Sequence, residues 1–271
     1  MSEPVAAESG ALGAAFLGAL QGLTEFLPVS SSGHLVLFQQ FLDIEGDHVL
    51  FDLVLHVGTL VPVLWFYRAE VLAILKDPIV GEGPFMERQG VQDALMVVAA
   101  SIPTAIIGLG FKDLFEQLFA TPAALTVTFA ITGTLLFLSG RFDRSEKAQP
   151  LTLPIAIGLG IAQGLAITPG ISRSGTTIAV ALMIGMRREV AARFSFLMSV
   201  PAIGGAVLLK LKDADVSQLD VVQLGVGGLT SLVVGYGALV LLVRLVLAGR
   251  FASFCWYAWG AAIVAGALAF T

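Results

Sequence analysis

Two stretches decide how this chain folds: "QGLTEFLPVSSSGH" at 21–34 and "QGLAITPGISRSGT" at 163–176. Laid over each other without a gap, they share Gln, Gly, Leu, Ser, Ser and Gly, six positions of fourteen. Val29 and Ile171 nearly match. The shared residues are mostly polar or Gly, so chance likeness between apolar segments explains them poorly. Each stretch closes an apolar run that makes a poor span. Residues 11–29 are interrupted by Gln21 and Glu25 and end at Pro28; residues 152–168 are interrupted by Gln163 and end at Pro169-Gly170. A Ser/Gly-rich turn follows each, and then a second short apolar stretch, 34–42 or 176–186. A helix, a Pro/Gly turn and a short helix make a re-entrant hairpin rather than a crossing.

Working outward, the rest of the chain is more apolar still. Of 271 residues, 56% are hydrophobic and 13% charged, against about 25% charged in a soluble domain. A bilayer span takes roughly 20 apolar residues. Six stretches qualify: about 51–67, 92–111, 122–140, 193–210, 221–247 and 252–270. "FDLVLHV" (51–57) also lies over "FSFLMSV" (194–200) with one residue of slippage. The expected fold is therefore an all-α, polytopic membrane protein built from two inverted-topology repeats. The first, 1–140, holds a re-entrant hairpin at about 11–42 and three spans. The second, 150–271, holds a hairpin at about 152–186 and three spans. "GRFDRSEKAQ" (140–149) joins them.

An odd number of spans per repeat inverts the second copy in the membrane. The charges agree. Residues 1–67 contain no Lys or Arg. Arg68, Lys76, Arg88, Arg141, Arg144, Lys147, Arg187, Arg188, Arg193, Arg244 and Arg250 fall on one side of the expected topology, and Lys112, Lys210 and Lys212 on the other. The positive-inside rule makes the crowded side cytoplasmic and puts both termini outside. The two polar hairpin tips then meet near the midplane. "MSEPVAAESG" lacks the positive region of a secretory signal, so the first embedded segment is expected to be retained. The net charge of −5 argues against a nucleic-acid partner. The single cysteine, Cys255, reads as a packing residue.

The tips carry the chemistry. Gln21 and Glu25, four apart, share one helix face. A carboxylate inside a membrane segment is costly unless paired, hydrated or metal-bound. Glu25 could be a structural group bonded to backbone or serine; intramembrane ionisable residues are more often functional. Ser30, Ser31 and Ser32 can cap the following helix, but one serine suffices for a cap. His34 is either a satisfied core residue or an acid–base group. In the second tip, Arg173 is the only cation in either hairpin. Ser172, Ser174, Thr176 and Thr177 surround it with hydroxyls at a helix N-terminus, and Gly170 and Gly175 allow close backbone approach. Helix N–H groups and a guanidinium fork make an anion site suited to phosphate. The plainer alternative is that Arg173 neutralises Glu25. Acid–base groups opposite an anion site suggest phosphoryl transfer. Glu25 with Gln21 could hold a divalent cation, Mg2+ or Ca2+, bridging phosphate oxygens.

"LQGLTEFLPVSSSGHL" and "PGISRSGTT" resemble the two signature motifs of the undecaprenyl-pyrophosphate phosphatase (bacitracin-resistance) family, and the resemblance runs over nearly the whole chain, including "FSFLMSVP" at 194–201. In that family the first motif is E/Q-x-x-x-E followed by P-V-S-S-[ST]-G-H, the second P-G-x-S-R-S-x-x-T. Gln21 takes the E/Q position, Glu25 the fixed Glu, and Ser30, Ser31 and His34 the serine–histidine part. Pro169, Gly170, Ser172, Arg173, Ser174 and Thr177 fill the second motif. Gln21 in place of a second Glu leaves one fewer carboxylate for a metal. The resemblance implies a phosphatase of the bacterial cytoplasmic membrane. Its substrate would be a polyprenyl pyrophosphate, cleaved to monophosphate and inorganic phosphate to recycle the carrier lipid of peptidoglycan and envelope glycans.

In this reading Glu25, Ser31, His34 and Arg173 are catalytic. Ser30, Ser172, Ser174, Thr176, Thr177 and Gly170 bind phosphate with Arg173, and Glu25 and Gln21 hold the metal. The active site is expected to face the outer side. The nucleophile is Ser31, water or His34, with Ser31 favoured. A transporter or flippase of a polyprenyl phosphate is the alternative, because inverted repeats with broken helices are the usual transporter plan. A homodimer is compatible with the sequence. Asp52 and His56 read as a solvated helix end, the alternative being that they extend the site, and His48 reads as loop. Trp65, Tyr67, Trp256 and Tyr257 read as an interfacial aromatic belt.

Overall fold

A computed structural model describes residues 3–41, 49–119, 121–211 and 220–269. Twelve α-helices run along them: α1 (Glu3–Phe26), α2 (Ser31–Phe41), α3 (Val49–Phe66), α4 (Arg68–Val80), α5 (Gln89–Gly110), α6 (Lys112–Phe119), α7 (Pro122–Arg141), α8 (Leu153–Leu165), α9 (Arg173–Ile184), α10 (Arg188–Lys210), α11 (Val221–Leu247) and α12 (Cys255–Ala269). Among the described residues there is no strand, only an isolated bridge between Gln149 and Met186. Six helices are long and apolar enough to cross a membrane: Val49–Phe66, Gln89–Gly110, Ala123–Arg141, Arg188–Lys210, Val221–Leu247 and Phe251–Ala269. They are the six expected spans. α10 begins before residue 193 because its first turns carry Arg188, Glu189 and Arg193, charged residues that a search for apolar runs discards but a helix accepts.

The two polar stretches form the turns of helical hairpins, α1–α2 and α8–α9. α1 starts at Glu3, well before residue 11, since Ala6 and Ala7 are strong helix formers. The short helices α4 and α6 have no counterpart in the sequence reading, which sought runs of membrane length. His48 and Lys212 lie outside the described residues.

Each hairpin's first arm packs against a helix of the other half: α1 on α11 and α8 on α5. Small residues make this possible. Gly18 meets the backbone of Gly227, and Gly160, at the matching place in the other half, meets that of Ala100. A Cβ at Gly22 would stand 2.8 Å from the nitrogen of Gly235. Without a hydrophobic drive between helices in lipid, close van der Waals packing of this kind supplies the association.

The chain between the halves is anchored. Arg144 N–H donates to Leu182 O at 3.0 Å, and Gln149 N–H to Gly185 O at 2.8 Å. Arg188 donates to Asp143 at 2.9 Å, gathering basic residues of 141–147 and the start of α10 at one end. Partial burial works to raise the Asp143 carboxyl. The Ser145 N–H and hydroxyl and the Arg188 guanidinium outweigh it and hold the group below its ordinary range.

Trp65 and Trp256 are exposed. Tyr67 does not face lipid: it is buried, with its ring 6.0 Å from that of Phe196. Tyr257 turns its hydroxyl inward, to the site below.

Candidate active site

The hairpin turns touch, and they do so reciprocally. A Cβ on Gly33 would lie 3.0 Å from Gly170 Cα, and one on Gly175 would lie 3.2 Å from Pro28 Cβ. Gly170 and Pro28 occupy matching positions of the two stretches, as do Gly33 and Gly175. Both turns use the same pattern of serine hydrogen bonds. Gly33 N–H donates to Ser30 Oγ at 3.4 Å, and Gly175 N–H to Ser172 Oγ at 3.0 Å. Ser30 and Ser32 share a hydroxyl contact of 3.3 Å, as do Ser172 and Ser174. Ser174 Oγ also donates to Phe26 O at 2.9 Å, tying the second turn to the end of α1.

Glu25, 8% exposed, is the centre of the cluster. Ser31 Oγ donates to its Oε2 at 2.6 Å and Gln21 Nε2 to the same oxygen at 3.1 Å. An Arg173 Nη2–H donates to Oε1. The carboxylate therefore joins one hairpin's serine to the other's arginine. Ser31 and Arg173 are half-buried and reachable, while Glu25 and Gln21 lie beneath them. Two buried polar atoms on α9 lack a partner: Arg173 Nη1 and Thr176 Oγ1. They are a donor and a hydroxyl on the first turn of α9, as an anion would need.

The other expected phosphate ligands serve the turn. Thr177 Oγ1 donates to Arg173 O at 2.9 Å. Ser30, Ser172 and Ser174 are committed as above. Gly170 adopts φ 84°, a left-handed conformation that suits glycine. Its carbonyl accepts from Thr132 Oγ1 at 2.9 Å, and Ser172 N–H donates to the same hydroxyl at 3.0 Å. Thr132, on α7, went unnoticed in the sequence because a lone threonine in an apolar span carries no local signal.

His34 is buried but hydrogen-bonded to neither Ser31 nor Glu25 among the described contacts. Its Nδ1–H donates to Ser30 O at 2.8 Å, and Tyr257 Oη lies 2.9 Å from Nε2. Tyr257 is the second residue that sequence reasoning missed. The one available signal was a hydroxyl inside an apolar span, which usually needs a partner. His56 is not a plain solvated helix end either. It is half-buried, its Nδ1–H donates to Asp52 O at 2.7 Å, and it lies within electrostatic reach of Glu25.

Residues 14–264 match the family model described as "bacitracin resistance protein BacA". The chain belongs to the BacA family. It is 45% identical to the undecaprenyl-diphosphatase of Carboxydothermus hydrogenoformans over 252 residues, 91% of this chain and 92% of the relative. It is 43% identical to that of Desulfatibacillum aliphaticivorans over 266 residues, 92% of this chain and 96% of the relative. The undecaprenyl-diphosphatase of Rubrobacter xylanophilus is 40% identical over 265 residues, 95% of this chain and 97% of the relative.

Within this BacA chain a divalent cation would find oxygen donors on two residues. Glu25 is one, and Gln21 Oε1, fully buried and without a partner, is the other. No group of three or more His, Cys, Asp or Glu is gathered for a metal among the described residues. This donor set fits a hard cation of the Mg2+ type, which keeps several waters and takes substrate phosphate oxygens as ligands. It does not fit an ion caged by protein alone.

Proposed function

We propose that this protein is a membrane phosphatase that hydrolyses undecaprenyl pyrophosphate to undecaprenyl phosphate and inorganic phosphate. The observation that carries the reading is Glu25 holding the Ser31 hydroxyl at 2.6 Å while its other oxygen pairs with Arg173. Nucleophile, base and phosphate clamp are thus in one contact network. Family membership and relatives named undecaprenyl-diphosphatase support the substrate.

The chemistry follows from these atoms. A bound pyrophosphate competes with Glu25 for Arg173, engaging Nη1 and Thr176 Oγ1 and releasing the carboxylate as a base. Ser31 Oγ gives its proton to Glu25 and attacks the terminal phosphorus. The bond from that phosphorus to the bridging oxygen breaks, and the oxygen leaves with the lipid monophosphate. Water then gives a proton to a site base and attacks the phosphoserine, and Ser31 regains its proton as inorganic phosphate departs. His34 and Glu25 are the groups available for these transfers. Arg173 stabilises charge on the phosphoryl oxygens throughout. Gln21 and Glu25 would hold a divalent cation, Mg2+ or Ca2+, which when bound neutralises pyrophosphate charge.

The two halves are inverted repeats, supported by the matched turns and by the exchange of α1 and α8 between halves. Both termini lie outside a bacterial cytoplasmic membrane, and the site serves the outer side, where recycling the carrier lipid sustains peptidoglycan synthesis and bacitracin resistance. A homodimer is compatible, since every residue of the cluster comes from one chain. A polyprenyl-phosphate carrier would need the anion clamp but has no use for the Ser31–Glu25 contact.

The test is phosphate release from undecaprenyl pyrophosphate by the purified protein in detergent, where transport has no meaning. Release that is lost with Glu25→Gln is expected. An inactive wild-type protein of full folded yield, supplied with Mg2+ or Ca2+, would overturn the proposal.

A further inference from the structure

His34 is held on every side, and one of its supports is unexplained by packing. The Ser30 carbonyl can only accept, so at 2.8 Å it fixes the hydrogen of the neutral ring on Nδ1. Nε2 is then the basic nitrogen. Tyr257 Oη lies 2.9 Å from it and is the donor of that bond. The two rings are near-parallel, with centroids 5.7 Å apart and planes 21° apart. Phe129 closes another side edge-on, at 5.3 Å. Tyr257 comes from α12, whereas His34 sits in the first hairpin, 223 residues away. A tyrosine serving as a membrane anchor would send its hydroxyl toward the headgroups. This one, on a residue 52% exposed, sends it to a buried imidazole.

We propose that Tyr257 is a positioning residue for His34, orienting the ring and occupying its basic nitrogen until substrate arrives. The Ser30 carbonyl selects the tautomer, and the Tyr257 hydroxyl selects where Nε2 points. This rests on the phosphatase reading only for what His34 then does, which is to take or return a proton during phosphoryl transfer. Removing the outer partner of a metal-ligating imidazole typically costs about 10–100-fold, and a loss of that order is expected for His34, because the ring is free to turn away from the productive direction.

The experiment uses the full chain in detergent and has two arms. In the first, His48 and His56 are replaced by Gln, leaving His34 as the one labelled histidine for 15N spectroscopy. Tyr257→Phe keeps the stacked ring and removes the hydroxyl. The expected result is that the Nε2 resonance moves toward that of a nitrogen with a free lone pair, while Nδ1 stays protonated. In the second arm, kinetics on undecaprenyl pyrophosphate are measured with the native histidines. Tyr257→Phe should lower kcat about tenfold or more with KM within about twofold. The neighbouring exposed Trp256→Phe should change neither reading. An unmoved Nε2 resonance, an unchanged kcat, or an equal loss from Trp256→Phe would each overturn the proposal. If the wild-type protein released no phosphate at all, the phosphatase reading would fall, and the spectroscopic arm would still decide the contact.

Discussion

Ser30 and Ser172 hold the same place in the two hairpins but opposite backbone hands: φ is 69° at Ser30 and −72° at Ser172. The reason lies two residues earlier. The second turn takes its left-handed step at Gly170, φ 84°. The matching residue in the first turn is Pro28, whose ring locks φ near −65°. The reversal is therefore displaced onto a serine. A non-glycine residue in that region is strained by roughly 1 kcal/mol, and here it also caps α2 and supplies the carbonyl that fixes the His34 tautomer.

This sets an order among substitutions. Gly at a cap position costs only a few tenths of a kcal/mol, whereas Ala costs about 0.5–2 kcal/mol, and Ala keeps the left-handed strain. Ser30→Gly should therefore unfold at a higher temperature than Ser30→Ala in the same detergent. Both should keep more turnover than Ser31→Ala.

The nucleophile can be separated from its neighbours. Ser31→Ala should abolish phosphate release about as thoroughly as His34→Ala, because residues acting as a unit are not additive. Should Ser31→Ala keep a tenth or more of wild-type turnover while His34→Ala is dead, serine attack is excluded. Direct attack by water or by His34 then takes its place.

Arg173 distinguishes a clamp from a counter-ion. Arg173→Lys keeps the charge but loses the fork and the unpartnered Nη1. It should lose most of its turnover, and Arg173→Ala should lose about 10²–10³-fold in kcat. Near-normal activity of the Lys variant would mean that the arginine only neutralises Glu25.

Orientation is tested at the linker. With Cys255 replaced by Ala, a cysteine introduced by Ser145→Cys should resist impermeant thiol reagents in intact cells and react after lysis. Ready labelling in intact cells would reverse the assigned sides.

The same linker has a pH signature. The Asp143 carboxyl is held below its ordinary range in the fold by the Ser145 N–H and hydroxyl and by Arg188, so these bonds stabilise the fold above the unfolded carboxyl value of roughly 4, and that stability is lost as pH falls through the folded value. The melting-temperature gap between wild type and Asp143→Asn should be full at neutral pH and close in acid. A gap that persists at pH 2 would assign the effect to packing.

Six spans and two polar turns were legible because each is a local pattern: apolar length in one case, a repeated string in the other. Ser31 and Arg173 were legible for the same reason, since matching the strings laid one over the other, and Glu25 was legible as a carboxylate inside an apolar run. What lay beyond reach was pairing at a distance. Thr132 holding Gly170, and Tyr257 holding His34, depend on which helix packs where. Tyr257 in particular sits beside Trp256 in a segment whose aromatics read equally well as a lipid belt. Only the packing of α12 tells the two residues apart. α4 and α6 escaped because they are too short to span.

The glycine contacts have a further consequence, for how the protein is made. α1 leaves the ribosome early, but the surface it packs on, α11, belongs to the last part of the chain, as the pairing of Gly18 with Gly227 requires. At a synthesis rate of about 5–20 residues per second, that interval lasts about 10–40 s. For about the first 7–30 s, while the 148 residues up to Arg173 are made, Glu25 lacks Arg173, and a carboxylate must wait at the membrane without its partner. The halves cannot mature in sequence as separate domains do. The first remains open until the second closes over it, so truncation after the linker should yield a chain for quality control to remove rather than a stable half.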